Sequence, residues 1–179
     1  MDRKLRMSEL NRVSTEDFKK QQKFPITLVL DNIRSSLNVG SAFRSADAFN
    51  TAKVILIGQT PTPDTNPDMR KTALGGTDSV DWEFHPSITD SIHQLKKNGF
   101  TIYGIEQTEK AIQLQQWQPT INEKTAFVFG NEVNGVSDEA IALCDTILEI
   151  PQFGTKHSLN IAVSLGIVLW HRVQYLINS

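Results

Sequence analysis

From Ile26 onward, short apolar runs alternate with stretches in which apolar residues recur every three or four positions. That alternation predicts strands and helices in turn, the pattern of an α/β domain with a mostly parallel sheet and helices on both faces. Ile26 to Leu30 reads as the first strand. Asn38 stands where a helix N-cap belongs, and Val39, Ala42, Phe43, Ala46 and Phe49 follow at helical spacing, which predicts a buried stripe. Arg44 falls roughly opposite that stripe. Lys53 to Ile57 predicts a second strand, and the Pro- and Asp-rich run TPTPDTNPD after it fits no regular element.

Beyond the short, Gly-rich run Lys71 to Thr77 (KTALGGT), Val80, Trp82 and Phe84 alternate as in a half-buried strand. Ser87 to Asp90 reads as a capping box opening a helix that closes at Asn98-Gly99. Phe100 to Ile105 predicts a strand, a polar stretch runs through Trp117, and Thr125 to Phe129 predicts another strand. Ser137 is expected to cap a short helix with Asp138 and Glu139 in its first turn, where the helix dipole favours acids. Ile147 to Ile150 is the last predicted strand, stopped by Pro151. The final segment, Ser158 to Ile177, has Ser158 as a candidate cap and apolar residues around most of its circumference. A small domain can hardly bury such a helix alone, so a subunit interface is expected.

Composition narrows the setting. With 179 residues and 39% hydrophobic content, one ordinary core is expected rather than two domains. The single cysteine, Cys144, has no internal disulfide partner, and the N-terminus is charged from its second residue, without the apolar stretch of a signal peptide. Both point to a reducing cytoplasm. The apolar stretch Ile161 to Trp170 is far shorter than the ~20 residues of a membrane-spanning helix, so no membrane association is expected. A net charge of −2 argues against coating nucleic acid by bulk electrostatics. Positive charge gathers instead in residues 1–24, where Arg3, Lys4, Arg6, Arg12, Lys19, Lys20 and Lys23 face Asp2, Glu9, Glu16 and Asp17. This basic arm either follows a phosphate backbone or is a solvated amphipathic helix packed through Leu5, Leu10, Val13 and Phe18.

Three segments carry the chemistry: LDNIRSSLNVGSAFRSADAF (30–49), FVFGNEVNGVS (127–137) and IPQFGTKHSLNIAVSLGIVLW (150–170). In order and internal spacing (Asn-x5-Arg, Gly-x-Glu-x-x-Gly, Ile-Pro followed by Ser-Leu-Asn) they resemble the three motifs of the SpoU/TrmH-type RNA ribose 2′-O-methyltransferases of the SPOUT superfamily. The resemblance spans almost the whole chain after residue 26. It implies a single-domain α/β knot covering 25–179, with a deep C-terminal trefoil knot at approximately 125–170. It further implies S-adenosylmethionine as methyl donor, a tRNA or rRNA substrate, and a homodimer that completes the active site.

A ribose 2′-hydroxyl is a poor nucleophile at neutral pH, so its proton must be removed or shared while the oxygen is aligned with the methyl group. By the family pattern Arg44 activates the hydroxyl and Asn38 positions it. Guanidinium is too weakly acidic to be an easy base, so two roles stand open for Arg44: base assisted by an RNA phosphate, or electrostatic stabiliser of the forming alkoxide. Ser158 and Asn160 are implied to hold substrate or Arg44, and Glu132 to buttress the site. Backbone atoms at Ile105, Gly130, Ile150 and Leu159 are implied to surround the adenosyl group. Gly130 and Gly135 permit close approach or a sharp turn, having no Cβ. Lys71 and Lys156 are candidates for RNA phosphates, and each reads equally well as a solvated lysine. No metal is expected, because a sulfonium is already an activated leaving group and no Cys/His cluster has ligand spacing.

Other readings are weaker. His157-Ser158 has no acidic partner at the spacing of a hydrolase triad, and DNIRSSLNVGS has one glycine where a dinucleotide fold wants several. A non-catalytic RNA-binding or ribosome-assembly protein would be free to lose the five polar motif residues. A base-methylating superfamily member is the remaining alternative. Gln152 departs from the methionine of many relatives, and neither a separate N-terminal RNA-binding domain nor a C-terminal extension is expected.

Overall fold

A computed structural model describes residues 2–178. The chain runs α1 (Thr15–Lys20), β1 (Phe24–Asp31), α2 (Ser36–Ala48), β2 (Thr51–Ile57), α3 (Arg70–Ala73), α4 (Gly76–Ser79), β3 (Asp81–His85), α5 (Ile88–Lys97), β4 (Phe100–Ile105), β5 (Ile112–Gln113), β6 (Lys124–Phe129), α6 (Asp138–Leu143), β7 (Thr146–Glu149) and α7 (Ile161–Ile177). The strands form one sheet in the order β3-β2-β1-β6-β4-β7-β5, and every neighbouring pair is parallel. Central β1 is buried from Ile26 to Asp31, which explains why it reads as a continuous apolar run rather than an alternation.

Successive side chains of a strand point to opposite faces, and the sheet divides its core accordingly. Leu28, Leu30, Val54, Leu56, Phe127 and Phe129 pack against Val39, Phe43 and Ala46 of α2 and Leu165, Val168, Leu169 and Val173 of α7. On the other face Val29, Ile55, Ile57, Ile102, Ala126 and Val128 pack against Ile92 and Leu95 of α5 and Ala140 of α6. The expected α/β sheet with helices on both faces is therefore present.

Local readings differ in places. Ser35, not Asn38, caps α2: its hydroxyl accepts from the Asn38 N–H at 3.3 Å, placing Asn38 inside the first turn. Asn160, not Ser158, caps α7, accepting from the Ala162 N–H at 2.8 Å. Ser137 does occupy the cap of α6, but its hydroxyl is buried without a hydrogen-bond partner among the described residues. Ser87 accepts from the Asp90 N–H at 3.2 Å, as expected of a cap. The stretch read as polar contains two core residues, Leu114 and Trp117, the latter packed on Tyr103 and Phe127. Of the four apolar residues proposed to seat the arm, Phe18 is buried, whereas Leu5, Leu10 and Val13 are exposed. Two arm cations are engaged: Arg3 pairs with Glu9, and the Lys23 ammonium lies 2.9 Å from the centre of the Phe18 ring.

Helix α7 carries a buried charge that the pattern did not reveal. The Arg172 guanidinium, at 0% exposure, donates to the Thr125 hydroxyl and to the carbonyls of Thr120, Ile121 and Glu123. Burial pulls its pKa below the ordinary arginine value, opposed by nearby Glu123. It thereby clamps the chain entering β6 to the last helix.

Candidate functional site

In open parallel sheets, ligands bind beyond the carboxyl ends of the strands, where helix-bound loops diverge. Here the ends of β4, β6 and β7 meet at one cleft of about 490 Å³. Its lining includes Ile105 after β4, Gly130, Asn131, Glu132 and Gly135 after β6, Ile150 after β7, and Ser158, Leu159 and Asn160 ahead of α7. All four positions expected around an adenosyl group are among them.

Glu132 is the centre of the polar part. Its carboxylate accepts from the N–H groups of Arg34 at 2.9 Å and Ser35 at 3.1 Å, so it closes the open end of α2 where the dipole favours an anion. The Asn38 amide donates to Glu132 Oε1 at 2.8 Å, and Asn38 Oδ1 accepts from Asn160 Nδ2 at 3.3 Å. Burial pushes the Glu132 carboxyl up, but these hydrogen bonds and one from its own N–H outweigh it and hold the pKa below the usual carboxylate range. Residues from all three motifs, 94 and 122 positions apart in the chain, are thus joined through one side chain, Asn38.

The loop bearing Glu132 is held by residues that the sequence reading did not single out. Asp31, buried at the end of β1, accepts from the Ser137 N–H at 3.1 Å. Asn131 donates to the Asn32 carbonyl at 2.7 Å and accepts from the N–H groups of Val133 and Asn134. Glu106 Oε2 accepts from the Val136 N–H at 3.0 Å. A usable signal was present: Asp31 and Glu106 are acids directly ending apolar strands, at the carboxyl edge where ligands bind. Gly130 has a different reason from close ligand approach alone, because a Cβ there would collide with the Gly135-Val136 backbone folded back over it. Gly135 makes the sharp turn, with φ +72°.

Of the remaining candidates, only Ser158 lines the cleft. Arg44, on the exposed side of α2, does not line the cleft, and its side chain makes no hydrogen bond or ion pair with any described residue. Ser158 lines the cleft with its hydroxyl free of partners among the described residues. Lys156 lines an adjoining depression with Phe153, Ser158 and Leu159, and Lys71 forms an exposed pair with Asp68 at 2.7 Å. Among the described residues no group of His, Cys, Asp and Glu is arranged to hold a metal ion, and no helix is long and apolar enough to cross a membrane. Burial pushes the Cys144 thiol up to about 12, which keeps it a poor nucleophile.

Comparisons with known proteins converge on one group. The family model described as the SpoU rRNA Methylase family matches residues 25–170. The tRNA (guanosine(18)-2′-O)-methyltransferase of Thermus thermophilus is 29% identical over 163 residues, covering 91% of this chain and 81% of that protein. The 23S rRNA (guanosine-2′-O-)-methyltransferase RlmB of Neisseria meningitidis serogroup B is 30% identical over 145 residues, 81% of this chain and 56% of that one. Among solved structures, the SpoU methyltransferase AviRb of Streptomyces viridochromogenes in complex with AdoMet superposes with a TM-score of 0.79. It is 22% identical, covering 91% of this chain and 65% of that chain, and the likeness is one of fold.

Proposed function

The chain belongs to the SpoU rRNA Methylase family, and from that premise we propose that it is an S-adenosylmethionine-dependent tRNA or rRNA ribose 2′-O-methyltransferase acting as a homodimer. The observation that carries this reading is the cleft itself, where the three motifs converge although they are far apart in sequence.

The cleft fits the methyl donor. Its volume lies within the ~300–1,000 Å³ range of small-molecule sites. Ile105, Phe129, Ile150, Leu159 and Ile161 offer an apolar bed for an adenine ring, while Glu106, Asn134 and Gln152 offer polar groups. The backbone of residues 151–159 makes no backbone–backbone hydrogen bond among the described residues, and apart from the His157 carbonyl, which accepts from Gln107 Nε2, its N–H and C=O groups are available to a ligand. Ile105, Gly130, Ile150 and Leu159 would hold the adenosyl portion. When bound, S-adenosylmethionine supplies a methyl group activated as a sulfonium.

The chain's own residues orient the acceptor. Glu132 holds Asn38, Asn38 meets Asn160, and Ser158 presents a free hydroxyl beside them for the ribose. Arg44 supplies the charge that makes the 2′-oxygen reactive, either by stabilising the alkoxide or by taking the proton with help from an RNA phosphate. Its place outside the cleft of its own chain supports a site completed by a second copy. So does the exposed apolar stripe Val163, Ile167, Trp170 and Ile177 on α7. Lys71 and Lys156 would meet RNA phosphates; an exposed pair such as Lys71–Asp68 contributes ~0–1 kcal/mol and is readily exchanged. The basic residues 1–24 form an arm ahead of a 25–179 methyltransferase domain. Segment 125–170 would form the trefoil knot that the resemblance to the SpoU/TrmH methyltransferases implies. A cytoplasmic location goes with such a substrate.

The decisive experiment transfers labelled methyl from S-adenosylmethionine to tRNA and rRNA of a strain lacking the gene, followed by nucleoside analysis. A 2′-O-methylnucleoside in one pool is expected with wild-type protein. Arg44→Ala should abolish the signal while calorimetry shows cofactor affinity unchanged. A methylated base instead of a methylated ribose would refute the reading, as would RNA binding without cofactor affinity.

A further inference from the structure

We infer that Gln107 is a positioning residue: its amide straps the loop 151–159 across the cleft and sets where Ser158 and Leu159 stand. The loop is exposed from Gln152 through Asn160. Among the described residues, the one hydrogen bond that residues 151–159 make to the rest of the chain runs from Gln107 Nε2 to the His157 carbonyl, at 2.9 Å. At the far end Asn160 is tied to Asn38. The nine residues are therefore pinned at their ends and once between, immediately before Ser158.

The strap hangs from a fixed frame. The Gln107 N–H donates to Glu106 Oε1 at 2.8 Å, and the other Glu106 oxygen accepts from Val136, so the end of β4 and the turn after β6 hold its base. Gln107 is itself exposed, which leaves its side chain little apolar packing to contribute. Its contribution is the donated N–H. A loop without internal backbone bonds has conformational freedom to regain when such a tether is lost, and Ser158 would then sample positions away from Asn38 and Asn160. The consequence for turnover rests on the proposed methyl transfer; the strap itself does not.

The test uses the full chain with Gln107→Met, which keeps reach and loses the donor, and Gln107→Lys, which keeps a donor. Trypsin cleavage after Lys156, without ligand, reads the loop directly. Gln107→Met should be cut about threefold to tenfold faster than wild type, the size expected for one hydrogen bond, and Gln107→Lys within about twofold of it. Thermal melting should be the same in all three. Gln107→Met should also bind S-adenosylmethionine more weakly by calorimetry and lose kcat more than RNA KM rises. Equal cleavage of Gln107→Met and wild type would overturn the strap, and so would a Gln107→Lys loop as loose as that of Gln107→Met. Wild-type protein with no cofactor affinity, alongside a Gln107→Met loop that is still loosened, would sink the methyl-transfer reading and leave the strap standing.

Discussion

At the scale of single residues, Glu132 does work that its sequence position disguised. In a Gly-flanked turn an acid is usually a solvated charge, yet this carboxylate closes the start of α2 and holds Asn38. Because its folded pKa lies below the unfolded value near ~4.3, its stabilising contribution is complete at neutral pH and is lost as acid takes the pH down through the folded value. Glu132→Gln should therefore lower stability by about 0.3–1 kcal/mol at pH 7, a range that reflects its exposure to water. Denaturant melts should show the gap to wild type closing as the pH falls through the lowered folded value, below which wild type too is protonated. A gap that persists in acid would mean that shape rather than charge matters there.

At the scale of elements, α2 carries both Asn38 and Arg44, and glycine decides how it sits. A Cβ on Gly76 would lie 2.8 Å from the Phe43 carbonyl oxygen and 3.0 Å from the Arg44 nitrogen, so α4 rests directly on the α2 backbone beneath Arg44. Both neighbours are backbone atoms and cannot rotate aside. In a free helix Gly→Ala would gain up to ~1 kcal/mol; here overpacking of about 1–3 kcal/mol opposes it. Gly76→Ala should be net destabilised by about 1–2 kcal/mol in urea and should lose methyl transfer beyond what its unfolded fraction explains. A neutral or stabilised variant would show that α2 shifts freely. The sequence marked this region only as short and Gly-rich, because close approach between two helices leaves no periodic trace.

At the scale of the whole molecule, α7 carries two apolar stripes. Leu165, Val168, Leu169 and Val173 face the sheet, while Val163, Ile167, Trp170 and Ile177 face outward, Trp170 at 52% exposure. Aromatic anchors of this kind dominate interfaces, and losing one costs ~2 kcal/mol or more. Trp170→Glu should weaken dimerisation by about thirtyfold or more, read by sedimentation across a concentration series, and should lose methyl transfer in parallel. Wild-type protein that sediments as a monomer at all concentrations would refute the dimer.

The apolar periods by themselves determined the long helices, the α/β class and every strand except the two-residue β5, which lies in the stretch read as polar, because each buried face repeats at the interval of its own element. Motif spacing likewise marked Asn38, Glu132, Ser158 and Asn160. What only the tertiary structure decided was how they meet: that Ser35 rather than Asn38 caps α2, that Glu132 closes that helix across 97 residues of chain, and that Arg44 stands outside its own cleft. Arg172 and Trp117 belong to the same group, a charge and a ring buried because distant carbonyls and aromatics surround them. Such partners are set by how strands order themselves in the sheet, with β6 entering between β1 and β4. A one-dimensional pattern records which face a residue shows, not which distant backbone arrives there to satisfy it.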